Sequence, residues 1–188
     1  MAKKHEPGPM PYTQAHHLLN PLRKLVLSPK KLAQRLDLKP DSSVLELGPG
    51  PGYFSPEVAR SIPHGKLVLV DVQQEMLDMA RERLERKGFD NVEYRRGDAA
   101  SLPLDTEFFD VVFLVAVLGE VPDRDACLQE IRRVLRPDGL LSLTEMKLGD
   151  PHRIPMPEML NSVQAVGFRR CAEFGNFLHY TINFRNKK

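Results

Sequence analysis

Val44-Leu45-Glu46-Leu47-Gly48-Pro49-Gly50-Pro51-Gly52 is the stretch on which the reading turns. A short apolar strand carrying one acid runs into a turn where glycine alternates with proline. Glycine supplies positive φ and lets the backbone approach a ligand closely. Tyr53 to Ser61 then suits a helix, and the first N–H groups of a helix are unpaired. The next apolar run, Leu67 to Val70, ends at Asp71, 19 residues after Gly52. A carboxylate at that spacing can accept both hydroxyls of a ribose.

Working outward, strand and helix alternate. Gln73 to Lys87 reads as a helix with Met76, Leu77, Ala80 and Leu84 on one side. Glu82 and Arg86 pair at i,i+4 on it, and Gly88 stops it. Val92 to Arg95 is a third strand, and Val111 to Val115 is a fourth, apolar throughout and therefore buried on both faces. Cys127, Leu128, Ile131, Val134 and Leu135 recur at helical spacing. Arg136-Pro137-Asp138-Gly139 reads as a turn, and Leu140 to Thr144 as a fifth strand. Pro157 to Val166 is a last helix. Phe168 to Phe174 and Phe177 to Phe184 follow without a helix between them, which predicts an antiparallel hairpin at the sheet edge. Upstream, Asn20-Pro21 and Ser28-Pro29 each place a capping side chain before a proline. Leu18, Leu22 and Leu25 share one helical face, and Leu32 and Leu36 another. Parallel strands need crossover helices, so the fold class is α/β, a doubly wound, mostly parallel seven-stranded sheet with an antiparallel final strand.

Composition narrows the classes. The 188 residues are 41% hydrophobic and 28% charged, an ordinary globular mixture that fits one domain. The longest apolar run, Val111 to Leu118, falls far short of the ~20 residues of a membrane span. The lysines at the N-terminus precede no apolar h-region, so the expectation is a cytoplasmic protein without a signal peptide. Neither Cys127 nor Cys171 sits in a C-x-x-C pair, so no disulfide framework and no metal site is expected. The net charge of +2 is unevenly spread. Residues 1–35 hold seven Lys/Arg against Glu6 alone, leaving 20 bases and 24 acids for the rest. A basic segment on an acidic body suits an anionic substrate or surface, or a solvated helix face. The expected organisation is a flexible segment over 1–19 and one domain over 20–188. That domain has N-terminal helices over 20–38, a cofactor-binding core over 43–146, and a C-terminal helix and hairpin over 147–188.

Two cofactor classes fit the glycine turn. A dinucleotide site would put its third glycine at position 53, which is Tyr53, and Glu46 would oppose a pyrophosphate. S-adenosylmethionine has no phosphate and carries a sulfonium and an ammonium, beside which an acid is favourable.

Residues 44–146 resemble the class I S-adenosylmethionine-dependent methyltransferases, of the type found in ubiquinone/menaquinone biosynthesis. The matches, in order, are the 44–52 stretch; Val70-Asp71-Val72-Gln73-Gln74-Glu75-Met76-Leu77; Gly97-Asp98-Ala99-Ala100-Ser101-Leu102-Pro103; and Phe109-Asp110-Val111-Val112-Phe113 followed by Leu135-Arg136-Pro137-Asp138-Gly139. The resemblance implies a Rossmann-like fold and S-adenosylmethionine as methyl donor, with S-adenosylhomocysteine as product. Glu46, Gly48 and Gly50 would flank its methionine part, and Gly52 would permit the helix start. Asp71 would hold the ribose and Val72 one face of the adenine. Asp98 would accept from the adenine amino group, with Ala99 offering a backbone N–H. Leu114 and Val115 would pass beside the cofactor toward the acceptor.

The N/D-P-P-Y/F motif of amino-methylating DNA enzymes and the Pro-Cys of cytosine-C5 enzymes are both absent, so no nucleic acid is expected. Small organic, quinone-like or lipid-like acceptors remain. Glu120 is the candidate acid/base, although the family commonly carries His where this chain has Gly119. Tyr12, His16 and His17 are further candidates, and the segment from Tyr12 to Arg35 is the material available to cover the acceptor. Its bases offer peripheral contact with an anionic surface. The alternative is a partner or regulatory protein that binds the cofactor without turning it over.

Overall fold

Each apolar run that is to pair in parallel with the next needs a crossover, and the chain supplies one nearly every time. The computed structural model describes residues 8–19, 27–147 and 149–188. A 3-10 turn, Tyr12–Gln14, leads into α1 (Ala15–Leu18), and α2 (Pro29–Arg35) precedes β1 (Ser43–Leu47). There follow α3 (Ser55–Ser61), β2 (Lys66–Asp71), α4 (Gln74–Glu85), β3 (Val92–Arg96) and β4 (Phe109–Val115). The 3-10 turn Leu118–Glu120, α5 (Arg124–Val134), β5 (Leu135–Met146), α6 (Met156–Ala165), β6 (Phe168–Gly175) and β7 (His179–Asn186) complete it. The seven strands form one sheet in the order β3-β2-β1-β4-β5-β7-β6. β7 runs antiparallel to both its neighbours, and the pairs from β3 through β5 are parallel.

Both faces of the sheet are covered, so the central strands are apolar on both sides. On one face Leu45, Leu47, Val112, Leu114, Leu141 and Leu143 meet Cys127, Leu128 and Ile131 of α5 and Met159 and Val163 of α6. On the other, Val44, Leu67, Leu69, Val111 and Phe113 meet Leu32 of α2, Val58 of α3, and Leu77, Ala80 and Leu84 of α4. Caps set the helix starts. Ser28 accepts from the N–H of Lys31 at 3.2 Å, and Asp123 from that of Ala126 at 2.9 Å. Gly88, at φ +76°, follows α4 where expected. No helix among the described residues is long and apolar enough to cross a membrane.

Two details differ from the sequence reading, while the hairpin stands at the sheet edge as expected, with β7 pairing to β5 and β6 outermost. The expected turn at Arg136-Pro137-Asp138-Gly139 lies inside β5: Phe109 faces Leu135, but Val111 faces Leu140, so four residues bulge out between ladder pairs. The helix expected from Tyr53 begins only at Ser55. The proposed cap Asn20-Pro21 and the side chains of Leu22 and Leu25 lie outside the described residues.

Asn186 explains how the bulge is tolerated. Fully buried, it points Nδ2 at the carbonyls of Arg132 (3.3 Å), Leu135 (3.1 Å) and Arg136 (3.1 Å), where α5 ends and β5 begins irregularly. Asn186→Ala is expected to destabilise the fold by about 1–3 kcal/mol. At about 2–4 °C per kcal/mol for a chain of this size, thermal unfolding will show it. The lesion lies at the N-terminal end of β5, so ligand binding at the opposite end of the sheet should not change.

Candidate functional site

The site forms where β1 ends. Leu47 is buried on all sides, and the chain must turn at once. Gly48 does so at φ +63°, and its N–H donates to the carbonyl of Val70 at 2.8 Å, which locks the turn onto β2. A Cβ on Gly48 would lie 2.5 Å from Val117, so no other residue fits without displacing that side chain. Gly52, at φ +71°, lets the loop rest on α4: its Cβ would stand 3.1 Å from that of Ala80. Close packing on α4 is thus its role, beyond the helix start read from sequence. The path of the loop is that of a cradle, whose glycines leave room for Val117, Leu18 and Ala80 where Cβ atoms would stand.

Two carboxyls flank it. Glu46 points to the α3 face of β1, is 3% exposed, and accepts from Ser55 Oγ at 2.6 Å. Burial pushes it up to about 8, against the Ser55 hydrogen bond, with the charge of Asp71 adding to the rise. Asp71 closes β2. Burial raises it as well, and the backbone N–H groups of Gln73, Gly50 and Val72 pull it back; the Gln73 bond is 3.0 Å. Val72, directly after it, is 41% exposed, an uncovered apolar side chain beside the Asp71 carboxyl.

The remaining expected residues divide. The N–H of Gly97 donates to the carbonyl of Asp71 at 3.1 Å and brings the exposed Asp98 and the half-buried Ala99 alongside. Asp98 Oδ1 also accepts from the N–H of Ala100 at 2.9 Å, so it shapes its own turn. The side chain of Leu114 does not reach the site. It is 1% exposed in the core under α5 and α6, whereas Val115, on the other face, is half-buried.

Glu120 sits on the 3-10 turn after β4. Burial lifts it to about 7. The N–H of Met10 opposes that rise, and Asp150 and Asp71 add to it. Gly119 beside it has a structural cause. A Cβ there would lie 1.9 Å from the carbonyl oxygen of His152, so backbone meets backbone where the family commonly carries a histidine.

Two features escaped the sequence reading. The first is Glu145, 1% exposed at the end of β5. Burial pushes its carboxyl up to about 8, Asp150 adds to this, and the N–H of Ile154 opposes it; Oε2 has no hydrogen-bond partner among the described residues. Its only signal was an acid continuing the alternation of the fifth strand. The second is the anchorage of residues 8–19 through Gln73; the sequence marks them as part of a flexible segment and, from Tyr12 on, as material to cover the acceptor. They lie over the cradle. The Tyr12 N–H donates to Gln73 Oε1 at 3.1 Å, and Gln73 Nε2 donates to the Met10 carbonyl at 2.8 Å. Leu18 reaches within 3.2 Å of where a Gly50 Cβ would be. Tyr12 and His17 are exposed, and the side chain of His16 lies outside the described set.

Comparison with known proteins fits this geometry. Residues 38–172 match the family model described as a methyltransferase domain. The chain is 38% identical over 106 residues to the ubiquinone/menaquinone biosynthesis C-methyltransferase of Hahella chejuensis, covering 55% of this chain and 43% of that one. It is 34% identical over 118 residues to the demethylmenaquinone methyltransferase of Lactobacillus johnsonii, covering 62% and 48%. The chain therefore spans less than half the length of these curated relatives. Among solved structures, a SAM-dependent methyltransferase from Aquifex aeolicus superposes with a TM-score of 0.89 at 22% identity, covering 95% of this chain and all of that one. The [4+2]-cyclase SpnF superposes at 0.76 with 21% identity, covering 84% and 79%. Those two likenesses speak for the fold alone. With nearly three quarters of its length inside the family model, the chain belongs to the methyltransferase domain family.

Proposed function

We propose that this chain transfers a methyl group from S-adenosylmethionine to a small organic acceptor of quinone-like or lipid-like character. The observation that carries the reading is the convergence of Glu46, Asp71 and the left-handed glycine turn at the ends of β1 and β2. A cationic nucleoside fits that set: two carboxyls, a close backbone approach and an uncovered Val72. The names of the quinone-methylating relatives support the acceptor class.

Glu46, Asp71 and Asp98 would hold the donor, whose sulfonium would supply an electrophilic methyl and leave as a neutral thioether, the acceptor atom losing a proton in exchange. The residues of the chain do the rest. Asp71 accepts the ribose hydroxyls. Glu46, ionised, faces the positive end. Asp98 accepts from the adenine amino group, and Ala99 offers its N–H. Val72 and Val115 supply apolar contact. Glu120, poised near neutrality beyond β4, receives the proton. Residues 8–19 exclude water from above, and Lys30 and Lys31, exposed on α2, offer contact with an anionic surface.

The reading is tested by incubating the protein with methyl-labelled S-adenosylmethionine and a fractionated cell extract. Label in a small apolar product is the expected result. Cofactor binding without any labelled product would leave a non-catalytic binder instead.

Cofactor affinity should depend on pH. A cation binds against ionised Glu46, and its free carboxyl titrates near 8. Affinity should therefore climb by up to about tenfold per pH unit below 8 and level off above it, with a proton released on binding. Calorimetry in buffers of different ionisation enthalpy measures both effects, and a flat profile would remove Glu46 from contact with the donor.

Turnover carries a second signature. With Glu120 as base, the rate should rise through about pH 7 to a plateau. Glu120→Gln should lower it roughly 10²–10⁴-fold with cofactor affinity intact. A variant with full activity would reduce Glu120 to a turn residue.

A further inference from the structure

On the face of β5 and β7 that α2 covers, polar side chains stand where a doubly covered sheet normally carries apolar ones. The register sets Ser142 opposite Asn183, Thr144 opposite Thr181 and Met146 opposite His179. The five polar members of this stripe are all buried, none more than 4% exposed. Thr144 and Thr181 bond to each other at 2.8 Å. Ser142 Oγ, Asn183 Oδ1 and His179 Nδ1 have no partner among the described residues. Buried polar atoms are normally bonded, so three orphans in one stripe mark a polar site rather than a core.

Arg35, at the end of α2, lies across it. Nη1 donates to Thr181 Oγ1 at 2.9 Å and meets His179 Nε2 at 3.2 Å. The guanidinium carbon stands 5.2 Å over the centre of the Phe174 ring, and Asn183 Nδ2 donates to the Arg35 carbonyl at 2.6 Å. Every one of these partners is neutral. Among the described residues no carboxylate pairs with Arg35, and Nε and Nη2 make no hydrogen bond. Its surroundings add positive charge. Burial and then Arg35, Lys147 and Lys31 hold the His179 ring below its ordinary range. The Lys147 ammonium donates to a neutral group, the Asn176 carbonyl, at 2.6 Å. A half-buried guanidinium with no counter-ion is poorly solvated, and its free edge is the fork that fits a carboxylate or phosphate.

The position suits a substrate. Neighbouring strands lie about 4.8 Å apart, and β7 is two strands from β4, so the stripe stands about 10 Å from the end of β4. We propose that Arg35, backed by Thr181 and His179, binds an anionic group, a carboxylate or a phosphate, at the far end of the methyl acceptor. The acceptor is then an apolar body with an acidic tail. Only the assignment of the anion to the acceptor rests on the methyl-transfer reading; the anion site itself does not.

The test uses the full-length protein. Inorganic phosphate and succinate are titrated separately at constant ionic strength held with sodium chloride. Magnetic resonance follows the Arg35 Nε–H and the His179 ring. A saturable shift with one anion, at least tenfold tighter than chloride, is expected; phosphate alone points to a phosphorylated tail, succinate alone to a carboxylate. Arg35→Gln, which keeps a donor for Thr181 without the charge, should abolish saturation at an unchanged thermal midpoint. Arg35→Lys should weaken it about tenfold, and this variant decides the matter if Arg35→Gln does not fold. Non-saturating shifts, shifts equal to those of chloride, or full affinity in Arg35→Lys would overturn the site and leave Arg35 as a tether for α2. Wild-type protein that binds the anion but not S-adenosylmethionine would instead overturn the methyl-transfer reading and leave the anion site standing.

Discussion

A buried strand has to end somewhere, and in this chain it ends against its neighbour. β1 is covered on both faces up to Leu47, and the next residue must reverse direction with Val117 pressed against it. Only a glycine in the left-handed region satisfies both demands. The bond from Gly48 to Val70 then fixes where β1 stops relative to β2, and hence where Glu46 and Asp71 stand relative to each other. Ser55 bonds to Glu46 and so sets the start of α3 from the same point. Gly52 resting on Ala80 does the same for α4. Two helices, two strands and two carboxyls take their positions from one turn.

The parts of the fold readable in the sequence are those decided within some thirty residues. The glycine turn, Asp71 and the apolar faces of α4 and α5 depend on local spacing, and they stand where that spacing put them. The bulge in β5 depends on Asn186, fifty residues downstream, and no local pattern marks Arg136 to Gly139 as anything but a turn. β7 enters the interior of the sheet for a comparable reason: a hairpin at the chain end pairs by either edge, and only its packing against β5 decides which. Site residues divide along the same line. Gly119 was visible as a departure from the family, but its cause, the carbonyl of His152, lies across a loop. Leu114 was legible as the end of a strand but not as to the face it presents. Glu145 looked like one more strand residue until burial removed its solvent.

The electrostatics of the sheet's C-terminal end are divided. Glu46, Asp71, Glu120 and Glu145 gather over β1, β2, β4 and β5, and burial raises all four. A cation arriving there favours the ionised form of each. Across β5 and β7 the balance reverses, with Arg35, Lys31 and Lys147 around a neutral histidine. A molecule lying along the strand ends passes from a region that welcomes positive charge to one that welcomes negative. Orientation is thereby favoured before any shape complementarity acts, since a reversed ligand would meet like charge at both ends.

The strap formed by residues 8–19 is held near the site largely through its main chain: the N–H of Tyr12 to Gln73, the carbonyl of Met10 to Gln73, the N–H of Met10 to Glu120. Attachment of this kind is indifferent to the side chains that the strap carries. Tyr12 turns its ring outward and contributes only its amide. Sequence drift at Met10 or Tyr12 therefore leaves these bonds intact so long as spacing is kept, whereas inserting or deleting one residue shifts every contact at once. The strap is specified by counting rather than by composition, which makes it the part of the molecule most free to acquire side chains suited to a new acceptor.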